Sequence, residues 1–204
     1  MLFYTTVKPR TLELLKALME VPEHRAFNLA GGTSLSLQIG HRISVDLDLF
    51  GNHPFQADEM LQSVKNCGNV KILHKTKNIL MLDIEGIKVE IVNYSYSLVK
   101  DFSVEDGIRL LSLEDIGAMK LAAITGRGRK RDLYDLFFLL KKFSLDQILG
   151  FYRQKYPDGN EWLVARSIIY FEDANNDLEM RPFQKILWTS VKKQIEKEAA
   201  KLFS

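Results

Sequence analysis

The chemistry-bearing part of this 204-residue chain is GGTSLSLQIGHRISVDLDLF, residues 31–50. Gly31 and Gly32 let the backbone bend and let a ligand come close, because neither has a side chain in the way. A helix predicted just after them aims unsatisfied N–H groups and a positive dipole end at that approach, an arrangement suited to phosphate. Thr33 or Ser34 can cap this helix, which should end near Gly40, and both add hydroxyl donors at the same point. Farther on, Ile43, Val45, Leu47 and Leu49 alternate with Ser44, Asp46, Asp48 and Phe50, predicting a strand over 43–50. Residues two apart on a strand point the same way, so the carboxylates of Asp46 and Asp48 converge; on a helix they would lie roughly 200° apart. Paired carboxylates repel unless a cation, here Mg²⁺, neutralises them. Gly-Gly before a helix is commonly only a turn, and Asp-x-Asp only a solvated strand end. At this short range, the acids opposite a clean apolar stripe, they point to phosphoryl or nucleotidyl transfer.

Several elements must hold these groups. Residues 10–20 have helical apolar spacing that Pro22 ends, and 55–66 read as an amphipathic helix. Strand-like runs follow at 70–76, 78–85 and 87–94, with Glu85-Gly86 as a hairpin turn. The second half is helical. Ser112 and Asp115 open a helix through about 124 in the manner of a capping box, and Gly126 and Gly128 punctuate a basic loop. Helices over 131–143, 144–156 (capped by Ser144), 160–171 and 182–203 complete the chain. The fold class is α+β: a mixed sheet with flanking helices over residues 1–110, then a helical lobe over 111–204.

Composition narrows the options. Hydrophobic residues make up 46% of the chain and charged ones 26%, enough for a packed core and incompatible with disorder. With 28 basic and 26 acidic residues the net charge is only +2, so any nucleic-acid contact must use a local patch. Cys67 is the single cysteine, which excludes intramolecular disulfides and Cys-rich zinc modules and suits a reducing compartment. Lys8, Pro9, Arg10 and Glu13 interrupt the first stretch before an export signal can form, and no segment nears the roughly 18 apolar residues of a membrane span. The expectation is a cytoplasmic protein with no membrane contact. The four histidines lack zinc spacing, and His41 reads as a surface residue. Tyr94, Tyr96, Phe137, Phe138 and Trp188 read as core residues rather than base-stacking ones.

The same block resembles the nucleotidyltransferase AbiEii/AbiGii toxin family, a branch of the polymerase-beta-like nucleotidyltransferase superfamily. Small residues, then Gly-x-Arg, then Ser-x-Asp-x-Asp-x-Phe are met by Gly31, Gly32, Thr33, Gly40, Arg42, Ser44, Asp46, Asp48 and Phe50. The resemblance implies a nucleotidyltransferase-like core whose active site the helical lobe completes. Asp46 and Asp48 would bind divalent metal, and the Gly32-Thr33-Ser34 turn, with Gly31 and Arg42, would hold a nucleoside triphosphate. Superfamily members generally take a third acid from a neighbouring strand. Glu90, mid-strand among apolar residues where an uncompensated charge is costly, is preferred over Asp83. A second block, EDIGAMKLAAITGRGRKRDLYDLFFLL (114–140), is similar to the family's Lys, basic loop and Asp-x-x-Asp-Leu. By resemblance Lys120 contacts the phosphates and Asp132 orients the reacting site or acts as a base. Asp135 ties Arg131 or Lys120 in place, or forms a helix-surface ion pair. Arg127, Arg129, Lys130 and Arg131 are a solvated face or a phosphate-binding cluster.

The resemblance covers most of residues 27–140. It implies Mg²⁺-dependent transfer, with two ions, of a nucleoside monophosphate from an NTP to an acceptor hydroxyl. The protein would be a toxin acting on tRNA, partnered by a separate antitoxin chain. Alternatives are a small-molecule (antibiotic-type) nucleotidyltransferase and an inactive nucleotide- or RNA-binding module on the same fold.

Overall fold

A computed structural model describes residues 1–177 and 186–202. The chain forms two compact units, one of residues 1–97 and 101–111, the other of 98–100 and 112–204. The first holds a seven-stranded mixed sheet in the order β3-β4-β5-β2-β1-β7-β6. Its strands are β1 (Asn28–Leu29), β2 (Leu47–Gly51), β3 (Val70–Lys75), β4 (Ile79–Ile84), β5 (Ile87–Asn93), β6 (Ser103–Glu105) and β7 (Ile108–Leu110). β2 runs parallel to β5 and β1 parallel to β7; the other pairings are antiparallel. Helices α1 (Pro9–Glu20), α2 (Gly31–Ile39) and α3 (Ala57–Ser63) belong to the same unit.

Alternation does here what it predicts. Leu80, Leu82 and Ile84 of β4 and Val89 and Ile91 of β5 are buried in one cluster with Leu14, Leu15 and Leu18 of α1. Glu85 and Gly86 both have positive φ, as the expected two-residue hairpin requires. Asp106 and Gly107 repeat that geometry between β6 and β7, a second hairpin with the Asp-Gly pair that such turns favour. Arg109 of β7 then donates to the carbonyls of Phe27, Met19 and His24 at 3.0–3.1 Å, tying the end of α1 to the sheet.

The strand predicted over 43–50 is half right. Pairing starts at Leu47, opposite Val89. Before it, the Ser44 N–H goes to the Thr6 carbonyl (2.9 Å), Ser44 turns inward, and Ile43 and Val45 face solvent. A period of two fixes which side chains share a face, but a strand also needs a neighbour to bond, and residues 43–46 have none. His41, expected at the surface, is buried.

The second unit contains α4 (Leu113–Arg127), α5 (Lys130–Leu139), α6 (Leu145–Lys155), α7 (Glu161–Ile168), α8 (Glu172–Asn175) and α9 (Trp188–Ala200). Ser112 caps α4 through the Asp115 N–H at 3.0 Å, and Ser144 and Gln147 form a full capping box on α6. α4 runs to Arg127 rather than 124, because Gly128 closes it in the left-handed conformation. α5 stops at Leu139 instead of 143, and the helix expected over 160–171 is α7, which stops at Ile168; the short α8 follows it. Of the helix expected over 182–203, residues 182–185 and 203 lie outside the described residues.

A buried ion pair unforeseen from sequence secures this unit. The Asp115 carboxylate accepts from Lys155 Nζ (2.7 Å), the Ser112 hydroxyl (2.7 Å) and the Val99 and Lys100 N–H groups (3.0 and 3.1 Å). That gathers residues 98–100, α4 and α6 on one carboxylate. Replacing Lys155 with Met would leave Asp115 charged in the interior, and about 3–5 kcal/mol of stability should be lost. Urea unfolding measures it; a loss below about 1 kcal/mol would contradict the arrangement.

Candidate active site

The chain leaves β1 at Leu29 and turns sharply at Gly31, whose φ is +65°. Ala30 is the N-cap of α2, and its N–H donates to the Asp48 carbonyl at 2.7 Å, fastening the helix start to β2. The first intrahelical bond is from the Ser34 N–H to Ala30 (3.2 Å). The N–H groups of Gly31, Gly32 and Thr33 therefore lack helical acceptors, as at any helix N-terminus. A Cβ on Gly31 would collide with Asp48 Oδ2, and one on Gly32 with the Arg42 guanidinium. Four predicted site residues, Gly31, Gly32, Arg42 and Asp48, thus meet at the opening of α2.

Thr33 and Ser34 do not cap this helix or present hydroxyls at its opening. Both lie inside α2 and are fully buried. The Thr33 hydroxyl pairs with that of Ser44 (2.8 Å) and donates to the Asp46 carbonyl; Ser34 Oγ accepts from Gln38 (3.1 Å). Because the helix begins three residues earlier than expected, these side chains point inward, and Thr33 latches the acidic segment from behind.

The parallel register sets Asp48 directly opposite Glu90. Leu47 and Leu49 are buried on the other face, opposite Val89 and Ile91. Asp46 immediately precedes the strand. Asp83 sits on β4, two strands from β2 and opposite Lys88, and its carboxylate accepts from the Gly86 N–H at 2.9 Å within the hairpin turn. Glu90 lies 3.2 Å from Lys88 Nζ on its own strand. Among the described residues, no three His, Cys, Asp or Glu side chains converge tightly enough to hold an ion. Like charges directly opposite repel. The donors nevertheless suit Mg²⁺, which takes hard oxygens, often only one or two carboxylates, and fills its octahedron with water and substrate phosphate. The lack of a side chain at Gly31 is what lets the Asp48 carboxylate lie against the opening of α2.

The second block forms a separate cluster within the helical unit. Lys120 of α4 reaches Asp132 (2.9 Å) and Asp135 (2.6 Å) of α5, and Arg127 makes two bonds to Asp132 (2.9 and 3.1 Å). Both carboxylates are fully buried one turn apart, and Lys120 and Arg127 supply positive charge to them. Asp135 is no surface ion pair; of the two partners weighed for it, Lys120 is one it binds. The Lys120 side chain is only 7% exposed, and its charge faces these two carboxylates. Arg127, 47% exposed, is the member that solvent reaches. The basic run is likewise partly internal: the Lys130 N–H and Nζ bond Asp177 at 3.1 and 3.0 Å.

Burial pushes the Asp132 carboxyl up, but Lys120 and Arg127 outweigh it and hold it below the usual carboxylate value. The folded protein therefore takes up this proton less readily than the unfolded chain. The resulting stability is complete above about pH 4, near the unfolded pKa, and is lost as pH falls through the lower folded value. Asp132→Asn should be less stable than the parent by about 3–5 kcal/mol at pH 7. Its stability should also fall less steeply below about pH 4. Urea titrations across that range test both, and parallel pH profiles would exclude the assignment.

The family described as nucleotidyl transferase AbiEii toxin, type IV toxin–antitoxin system, matches residues 13–202 of this chain. An Aquifex aeolicus protein named only as uncharacterized is 32% identical over 178 residues, spanning 84% of this chain and 86% of its own. A Helicobacter pylori crystal structure, described as a candidate nucleotidyltransferase, superposes with a TM-score of 0.61 at 21% identity, covering 96% of this chain and 95% of that one. MenT4, a nucleotidyltransferase toxin of Mycobacterium tuberculosis, gives 0.62 at 13% identity, covering 97% and 86%. At these identities the two structures share the fold. Among the described residues, no helix is long and apolar enough to cross a membrane.

Proposed function

Since the chain belongs to the family of AbiEii nucleotidyltransferase toxins and is a nucleotidyltransferase, we propose that it transfers a nucleoside monophosphate from an NTP to a hydroxyl of tRNA with Mg²⁺, as a toxin restrained by a separate antitoxin chain. The observation that carries this reading is the register of Asp48 with Glu90, beside a helix opening where Gly31 admits no side chain.

In this reading the N–H groups of Gly31 and Gly32 donate to the polyphosphate, and the neighbouring Arg42 guanidinium adds positive charge. Asp46 and Asp48 would hold Mg²⁺, with Glu90 as the third acid. When bound, Mg²⁺ lowers the pKa of the acceptor hydroxyl and neutralises charge on the phosphates. Thr33 keeps Asp46 in place through its backbone carbonyl. Of the two roles the resemblance leaves to Asp132, orientation suits it better, because a carboxyl held below its usual pKa is a weak proton acceptor. Lys120 offsets charge from inside that cluster, and Arg127, braced on Asp132 and 47% exposed, is the member of it that solvent reaches.

The test is incubation of the purified protein with each labelled NTP, Mg²⁺ and total tRNA. Label is expected in tRNA and should vanish on chelation. Label in a small hydroxylated compound instead would keep the chemistry and remove tRNA as acceptor. No transfer from any NTP to any acceptor would overturn the reading. Growth arrest on expression, relieved by a co-expressed antitoxin, tests the toxin role separately.

A further inference from the structure

The sheet face that carries Asp48 and Glu90 continues beyond them. The register runs on to Phe50 opposite Val92 and Gly51 opposite Asn93, and residues two apart on a strand share a face. Phe50 therefore follows Asp48 along the acidic face, about 6.6 Å farther up the strand. The Phe50 ring meets that of Tyr94 at 5.1 Å between centroids, and Tyr94 meets Tyr96 at 5.1 Å. The Tyr94 N–H donates to the Gly51 carbonyl at 2.7 Å and fixes where this segment leaves β5.

The row is not core packing, against the expectation for Tyr94 and Tyr96. The hydrophobic cluster draws on the other face, through Leu47, Leu49, Val89 and Ile91, and includes none of the three rings. Phe50 and Tyr94 are half-buried, and Tyr96 is 44% exposed. Solvent thus reaches a graded aromatic surface that starts one side-chain repeat from the acid pair. A nucleotide whose phosphates lie at the helix opening has its base a sugar's length away, and aromatic rings take bases by stacking with little regard to sequence.

We propose that Phe50, Tyr94 and Tyr96 form a platform on which a nucleobase stacks beside the acid pair. The inference rests on the nucleotidyl-transfer reading. The base belongs either to the incoming NTP or to the terminal nucleotide of the acceptor.

Calorimetric titrations of the full-length protein and of Tyr96→Ala and Tyr96→Phe separate these sources. The probes are each NTP, ribose 5-triphosphate (which has no base), and a short RNA ending in either a base or an abasic ribose. The exposed position of Tyr96 spares the fold. Tyr96→Ala should bind the base-bearing probe about tenfold more weakly, with Tyr96→Phe restored to the parent value and the baseless probe unaffected. An effect on NTP alone identifies the NTP base, and one on the base-ended RNA alone identifies the acceptor base. Unchanged affinity for every probe would overturn the platform and leave nucleotidyl transfer standing. A parent protein that binds no NTP and no RNA would overturn both.

Discussion

Asp48→Asn is expected to lower nucleotide transfer roughly 10³-fold while the protein stays folded. Asparagine keeps the shape of the side chain but removes the charge that a divalent cation needs. Asp48 is the acid most tightly bound into the site. Its carbonyl holds the N-cap of α2, its side chain lies against Gly31, and its strand neighbour is Glu90. Glu90→Gln should also lower transfer. Asp83→Asn, whose amide oxygen can still accept from the Gly86 N–H, should leave transfer within about twofold and stability within about 0.5 kcal/mol of the parent. Steady-state rates with a labelled NTP, alongside thermal unfolding, measure all three. If Asp83→Asn were the inactive variant and Glu90→Gln the active one, the third acid would have been misassigned.

The second large effect should come from a single methyl group. Gly31→Ala places a Cβ at φ +65°, where a side chain costs about 1–2 kcal/mol. It also drives that Cβ into Asp48 Oδ2. The carboxylate is the mobile partner and must give way, and a misplacement of about 1 Å at a reacting centre can cost about 10²-fold in rate. Gly86→Ala separates the two causes. Gly86 also has positive φ (+83°), yet nothing lies within 4 Å of its Cβ position. It should show a similar loss of stability with transfer within about twofold of the parent. Equal activity losses in the two variants would mean that backbone strain, not displacement of Asp48, is responsible.

Much of the scaffold was legible because it depends on neighbours in sequence. Alternation over 78–94 marked β4 and β5 and their buried faces, Glu85-Gly86 marked the turn, and Ser112 and Ser144 marked two helix starts. The same local logic failed at residues 43–46, where the pattern of a strand occurs without a partner strand, and at Thr33, where a start misplaced by three residues turned an expected ligand donor into a buried latch. Lys120 was visible as a charge beside a motif. Its two carboxylates, and the pairing of Lys155 with Asp115 across forty positions of chain, were not.

The chain by itself determined most of the secondary structure, most of the faces that go inward and the residue types able to bind phosphate and a divalent cation, because periodicity, capping and side-chain chemistry act over a few residues. Only the tertiary structure decided which acid stands beside Asp48, which hydroxyls are buried and which cations are already neutralised. Strand register and buried ion pairs join positions tens of residues apart, and they are selected by the packing of the whole core rather than by any local preference.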